Sequence, residues 1–304
     1  MSFRKSASER QDRGNVESRA SALVASGSLE IGAHRPQDAT AIAALLPAGT
    51  LVYVNHLPRH RLADTLATLV AIREAGLEPV PHIPARRITS SDELEIYLER
   101  AVREAAIQNA LVIAGDVAET SGPYIDGEAL ISTGCLARAG LREISIPGYP
   151  DGHPRISRAA LERALVDKLA HLASQGLRAR IVTQFSFSPP SIIEYCAAIS
   201  SLAPGIPIYV GLAGSTDPLT LMRFAKICGV RASLRAISVQ GLAAMRLVTH
   251  TNPSDQLAAL ARYCTTHVDC NIAGIHLFTF GGATLSAQWM NWQLNAPNAR
   301  LSAP

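Results

Sequence analysis

The chain has 304 residues, a formal net charge of +3, 48% hydrophobic residues and only 17% charged ones. This composition excludes wholesale disorder and collagen-like structure. The small positive charge is too thinly spread to indicate a nucleic-acid-binding face. No apolar run reaches the roughly 18 to 20 residues of a membrane span, and the polar start MSFRKSASERQDRGNVESRASA has no signal-peptide core. Neither a nucleic-acid nor a membrane partner is expected. The five cysteines, odd in number and without a C-x-x-C pair, suit a reducing, cytoplasmic setting. Residues 1–20 read as a flexible tail and 21–304 as a single catalytic domain.

From residue 28 onward, short apolar runs alternate with longer amphipathic segments. Strands are expected at 28–31, 50–54, 78–83, 110–114, 142–147, 179–183, 206–211 and 273–278. They are mostly β-branched or apolar, as strands covered on both faces should be. Between the second and third, Leu62, Leu66, Leu69 and Ile72 recur at helical spacing and Gly76 supplies a stop. Ser90 and Ser91 precede an acidic helix start, and a further helical segment ends at Gly176. Two or three helices are expected between the last two strands. Eight such units predict a (β/α)8 barrel. A doubly wound sheet is the alternative, but neither G-x-G-x-x-G nor G-x-x-x-x-G-K-[ST] is present.

In this fold the chemistry gathers at the C-terminal ends of the strands. Polar residues stand there in succession: Glu30, then Asn55 and His56, His82, Asp116, Tyr149 and His153, and Gln184. Any one of them alone reads as a helix cap or loop contact. Their convergence points to a mouth able to bind a polar heterocycle. Glycines at 211, 214, 281 and 282 follow the last two strands. They read as an anion cradle or, more simply, as turns.

Other chemistries find less support. No H-E-x-x-H or H-x-H at the first strand suggests a metal, and no G-x-S-x-G elbow presents a serine. Cys264, His267 and Cys270 read as a structural helix face, and Asp167 with Lys168 as a solvated helix pair.

At these strand ends the sequence resembles the methylenetetrahydrofolate reductase family, of the prokaryotic type with the catalytic barrel alone. The motifs are Ser28-x-Glu30, Arg61 with Ala63-Asp64-Thr65-Leu66, Pro81-His82-Ile83, Gly115-Asp116, Pro123-Tyr124, Gly148-Tyr149-Pro150-x-Gly152-His153-Pro154 and Thr183-Gln184-Phe185. Phe224 falls where the family has an aromatic residue after the seventh strand. The resemblance runs from about Ser28 to about Ser286. It implies an oxidoreductase interconverting 5,10-methylenetetrahydrofolate and 5-methyltetrahydrofolate by hydride transfer through bound FAD, with NADH or NADPH as electron partner. Its implied catalytic residues are Glu30 as general acid, with Asp116 and Gln184 contacting the pterin. Implied flavin contacts are Asn55, His56, His82, Ala114, Gly115, Asp116, Tyr124, Tyr149, His153 and Lys168. Asp116, Gln184, Thr220 and Phe224 would touch the folate. No metal is implied. The sequence departs from the family at Asn55 (Thr), Ala114 (Arg), Thr220 (Gln) and Gly281-Gly282 (Asn-Arg).

Three other readings stay open: a flavin-independent reductase using NADH directly, a non-redox barrel that binds methyltetrahydrofolate for methyl transfer or carriage, and an unrelated barrel acting on a phosphorylated metabolite. Pairing of copies through outer helices is also left open, because no outer apolar stripe separates from ordinary packing.

Overall fold

The computed structural model describes residues 2–56, 61–115, 117, 119–214, 216, 220, 223–224 and 253–295, with backbone alone for 2–10. Eight parallel strands close into one barrel in the order β1 to β8. They are β1 (Ser28–Gly32), β2 (Leu51–Asn55), β3 (Glu78–Pro84), β4 (Asn109–Ile113), β5 (Glu143–Gly148), β6 (Arg178–Thr183), β7 (Ile208–Ala213) and β8 (Ile272–Phe278). Each lies within two residues of its expected position. Helices between them cover the outside, so the (β/α)8 expectation holds.

The helices are α1 (Ser2–Ala25), α2 (Pro36–Ala43), α3 (Leu66–Glu74), α4 (Ser91–Ala105), α5 (Gly127–Ser132), α6 (Cys135–Arg138), α7 (Arg158–Ser174), α8 (Pro189–Leu202), α9 (Pro253–Thr266) and α10 (Ala283–Asn295). Local chemistry sets their ends. The Ser90 hydroxyl accepts the Glu93 amide at 3.1 Å to start α4, and Asp126 and Ser157 cap α5 and α7 in the same way. Gly76 and Gly176 follow α3 and α7 with φ of +81° and +71°, where a side chain would strain. Most of the stretch expected to hold helices between β7 and β8 lies outside the described residues; α9 is its last element.

The segment read as a flexible tail is instead the helix α1. Ala20, Leu23 and Val24 are buried, and α1 packs on α9, α10 and β8. Arg19 ties it down by donating from Nη2 to the Ile272 carbonyl at 3.1 Å, at the start of β8. Its polar first half offered little apolar signal. The anchoring comes from a surface that only the folded barrel creates.

Outward strand residues such as Leu29, Ile31, Val52, Val54 and Ile83 pack against the helices as one apolar shell. Inward residues fill the barrel, and here the filling is part polar. Val80, Leu111 and Val182 surround Tyr53, whose hydroxyl is 2.9 Å from the Ser145 Oγ. Toward the N-terminal rim, Arg180 pairs with buried Glu143 and lies 4.6 Å over the Tyr209 ring. Exposed Arg178 is a second, looser partner of Glu143 at 3.3 Å.

Removing one member of a buried pair strands the other charge, which costs about 3–5 kcal/mol. Arg180→Ala is therefore expected to lower the unfolding free energy by about 3 kcal/mol, measured by urea denaturation. The double replacement Glu143→Leu with Arg180→Met is expected to recover most of that loss.

Candidate active site

The strand parity that sends Ser28 and Glu30 inward does the same for Tyr53 and Asn55 on β2, His82 on β3 and His276 on β8. In the parallel register Glu30 stands beside Tyr53, and Ser28 beside His276. The His276 Nδ1 is 2.9 Å from the Ser28 Oγ, and its Nε2 faces the Glu30 Oε2 at 4.0 Å. Tyr53 stands edge-on between two imidazoles, 4.7 Å from the His276 ring and 6.0 Å from the His82 ring. Thr279 donates to the Glu30 carbonyl at 2.8 Å and locks the end of β8 against β1.

The acid thus sits in a nearly dry pocket, Glu30 being 8% exposed. His82 is equally buried, and burial pushes its imidazole down from 6.5 to about 4, with the Glu30 charge acting in the opposite direction. It is therefore neutral near pH 7. Its Nε2 and the Asn55 Oδ1 are both buried without a hydrogen-bond partner. Buried polar atoms are rarely left so, and at a barrel mouth they mark positions a ligand can satisfy. His56 follows Asn55 at the end of β2, within electrostatic reach of His82.

The opposite side of the mouth is aromatic. Phe185 contacts Phe187, Phe278 and Phe280 at centroid distances of 5.6, 5.3 and 5.2 Å. Phe278 also stands 4.9 Å from His276, so the wall begins at the acid's own imidazole. Phe224 meets Phe280 at 5.0 Å, and Thr220 precedes it in the chain by four residues. Gln184 begins the β6 loop beneath this wall. Its amide oxygen accepts the Phe185 amide at 3.0 Å, which orients the side chain from its own backbone.

Phe280 adopts φ +50°, and Gly281 follows at +91°. A bulky residue held in the left-handed region costs about 1–3 kcal/mol. Three of the four glycine amides after the last two strands are not free for an anion. The Gly211, Gly214 and Gly282 amides are committed to Thr183, Phe278 and Thr279 at 2.8, 2.9 and 2.7 Å. Gly211 instead clears space, since a Cβ there would lie 2.8 Å from the Phe278 ring.

The remaining expected site residues divide into groups. Asp116 lies outside the described residues. Beside it, Gly115 has φ +93°, and the Ala114 carbonyl accepts the Arg86 amide at 3.0 Å. Tyr124 is buried in the outer shell, its hydroxyl donating to the Ser91 Oγ at 3.1 Å. Tyr149 and Lys168 line a cavity of about 210 Å³ between α7 and α8, together with Arg158 and Glu194. Burial pushes the Tyr149 phenol up to about 12 and lowers the Lys168 amine, with Asp126 and Glu128 opposing the latter. Lys168 is thus half-buried rather than solvated, while Asp167 is exposed. His153 stacks edge-on to Tyr149 at 5.4 Å; burial lowers its imidazole, helped by the charges of Arg155 and Arg86. Cys264, His267 and Cys270 do not share a helix face. Helix α9 ends at Thr266, the Cys264 and Cys270 sulfurs lie 3.4 Å apart, and His267 stacks on Tyr263.

Several site residues escaped the sequence reading. His276 and Tyr53 were hidden inside apolar strand runs, where only residue parity could flag them. Asp151 occupied a variable motif position. Its Oδ1 accepts the Ser186 hydroxyl at 2.9 Å, its Oδ2 is buried without a partner, and burial raises its carboxyl. Arg86 bridges the β4–α5 loop, donating to the Ile125 and Val117 carbonyls at 2.6 and 3.4 Å.

No family model matches the chain. Among solved structures, a dihydropteroate synthase from Thermus thermophilus is similar with a TM-score of 0.50 at 12% identity, covering 86% of this chain and 91% of that one. A sialic acid aldolase from Ruminococcus gnavus matches at 10% identity with a TM-score of 0.40, covering 88% of this chain and 97% of that one. The first likeness is one of fold. Among the described residues no helix is long and apolar enough to cross a membrane.

The buried His82 carries a pH signature. The unfolded imidazole takes up a proton near 6.5 and the folded one near 4. Above 6.5 this group leaves stability unchanged; below it, the unfolded state binds the extra proton and stability falls until about 4. The total loss is on the order of 3 kcal/mol. Glu30, His276 and His56 also act on this ring. Urea denaturation across that window is expected to show a shallower loss of stability in His82→Gln than in the parent.

Proposed function

We propose that this protein is a flavin-dependent oxidoreductase that interconverts 5,10-methylenetetrahydrofolate and 5-methyltetrahydrofolate. The observation that carries the reading is the meeting of Glu30, His276 and the unpartnered His82 and Asn55 atoms with an aromatic wall at one barrel mouth. A folate has the matching parts: a polar fused ring to hydrogen-bond, a bridging carbon beside basic nitrogens, and an aryl ring to stack. The dihydropteroate synthase name attaches a pteroate to another barrel of this fold, which supports the ligand class as precedent.

At the mouth, the residues that would hold a flavin are Asn55 and His82, through their unsatisfied polar atoms, and the backbone at Gly115; Tyr149 and Lys168 border the cavity between α7 and α8, which none of these three lines. A reduced flavin, when bound, supplies the hydride that reaches the methylene carbon. The chain's own residues handle the proton. Glu30 donates it to N10 as the bond from N10 to the bridging carbon breaks, leaving the electron-poor iminium at N5 that accepts hydride. That proton stays on N10 in the product, and a second one, drawn from solvent, restores the Glu30 carboxyl, with His276, held by Ser28, standing 4.0 Å behind it. Neutral His82 hydrogen-bonds without adding a positive charge beside the iminium. Asp116 and Gln184 are assigned to the pterin, and Thr220 and Phe224 to the outer part of the folate. NADH or NADPH is the proposed source of electrons.

A non-redox barrel that binds the same folate is the competing reading, because the polar and aromatic groups at the mouth suit a folate without themselves requiring a flavin. Anaerobic mixing of protein, FAD and 5-methyltetrahydrofolate separates the two. Bleaching of the flavin absorbance is expected; folate binding with an unchanged spectrum would favour the non-redox barrel, and a protein that never takes up FAD yet reduces folate with NADH would favour the flavin-independent enzyme. Glu30→Gln is expected to keep FAD binding and fold while losing folate reduction by roughly 100- to 10,000-fold, read from steady-state rates. Parent-like rates would remove Glu30 from the mechanism.

A further inference from the structure

Of the cysteines among the described residues, Cys135, Cys196 and Cys264 are buried and Cys270 alone is partly exposed. Cys264 stands in the last turn of α9, and Cys270 lies between the end of that helix and the start of β8. The chain reverses between them. The His267 amide donates to the Tyr263 carbonyl at 3.0 Å, and the Cys270 amide to the His267 carbonyl at 3.1 Å. This reversal brings the Cys270 and Cys264 sulfurs to 3.4 Å, near enough for one thiol to hydrogen-bond the other. Asn271 fixes the backbone on the far side. Its amide donates to the Ser200 Oγ at 3.1 Å and its side-chain nitrogen to the Ala203 carbonyl at 2.9 Å, around the end of α8.

A buried cysteine by itself behaves as a small hydrophobe, and Cys135 and Cys196 require no other account. The pair differs, because one sulfur of the contact is inside and the other reaches the surface. Burial raises the Cys264 thiol, the neighbouring Cys270 adds to the rise, and the Arg19 guanidinium opposes both. Cys264 therefore holds its proton, which leaves Cys270 as the sulfur that meets a reagent from solvent. Cys196 on α8 is within electrostatic reach of both sulfurs but fully buried, so it is the rival partner rather than the entry point.

We propose that Cys270 and Cys264 are a reversible modification site, a dithiol that a hydroperoxide converts to a disulfide joining the end of α9 to the entry of β8. The Cys270 thiolate attacks the peroxide. The O–O bond breaks, hydroxide leaves, and Cys270 becomes a sulfenic acid. The Cys264 sulfur then attacks the Cys270 sulfur. An S–S bond forms as the S–O bond breaks, and the hydroxide departs as water with the Cys264 proton. In total the two thiols give up two electrons and two protons, and one hydrogen peroxide becomes two waters. A resolving thiol already held beside the sulfenic acid outruns its further oxidation. The staple falls on the seam where α1 docks, since α1 packs on both α9 and β8 and Arg19 donates to the Ile272 carbonyl there. Reduction by a small dithiol restores the pair.

The test treats the native full chain with hydrogen peroxide, alkylates the remaining thiols and maps tryptic peptides by mass spectrometry. The peptide that follows Arg262 carries both cysteines and no other. It is expected to escape alkylation and to weigh about 2 Da less than the dithiol form, then to return to two alkylated thiols after dithiothreitol. In C264S, Cys270 is expected to pass on to the sulfinic acid, which dithiothreitol does not recover. In C270S, Cys264 is expected to remain a thiol. A link from either cysteine to Cys196 overturns the inference, as does sulfinic acid at Cys270 to the same extent in the parent as in C264S. Oxidation of Cys264 in C270S, two thiols left free in the treated parent, or a link that forms only after unfolding in urea overturns it equally.

Discussion

Closure of the sheet is the constraint on which the site depends. Once eight parallel strands join edge to edge, every second side chain must enter one narrow interior. Residues far apart in the chain then have no choice but to meet. Ser28 and Glu30 from the first strand meet His276 from the last because those two strands are neighbours only in the closed ring. An open sheet would leave them at opposite edges.

The interior is graded in polarity along its axis. An ion pair, Arg180 with Glu143, closes the N-terminal side; Tyr53 fills the middle; imidazoles and the Glu30 carboxyl occupy the upper end. Many barrels fill these layers with branched aliphatic residues. Here the polar groups are mostly satisfied by one another, and those left unsatisfied are concentrated toward the mouth. Asn55, His82 and Asp151 each keep a buried atom without a partner there. Desolvation does the electrostatic work: it keeps His82 neutral and strengthens any charge that develops beside Glu30. The aromatic wall supplies the dry surface opposite. Its strained member, Phe280, belongs to the same turn whose Thr279 holds the backbone of Glu30.

The strands were legible because burial on both faces leaves a clear apolar signature, and Gly76 and Gly176 marked helix ends through a backbone conformation that favours glycine. Glu30, Asn55 and His82 stood out as polar residues just where an apolar run stops. His276 did not, because a histidine inside such a run looks like part of it. Lys168 was misread for a related reason: helical periodicity alone does not reveal that α7 tucks this side chain beside a cavity. Tyr124 carried a motif match, yet its hydroxyl is spent on Ser91, and only the packing of α4 shows that. The first helix failed to announce itself because its docking surface is assembled from α9, α10 and β8, at the other end of the chain.

The sequence by itself determined the barrel, the order of its elements and the acidic residue at its first strand end, since these follow from periodicity, caps and the polar residues that interrupt apolar runs. Tertiary structure alone decided which side chains share a pocket, which imidazole is neutral, and which phenylalanine is forced into a left-handed turn. Those depend on distances between residues some 250 positions apart, such as Ser28 and His276. Local pattern carries no information about such distances until the ring closes.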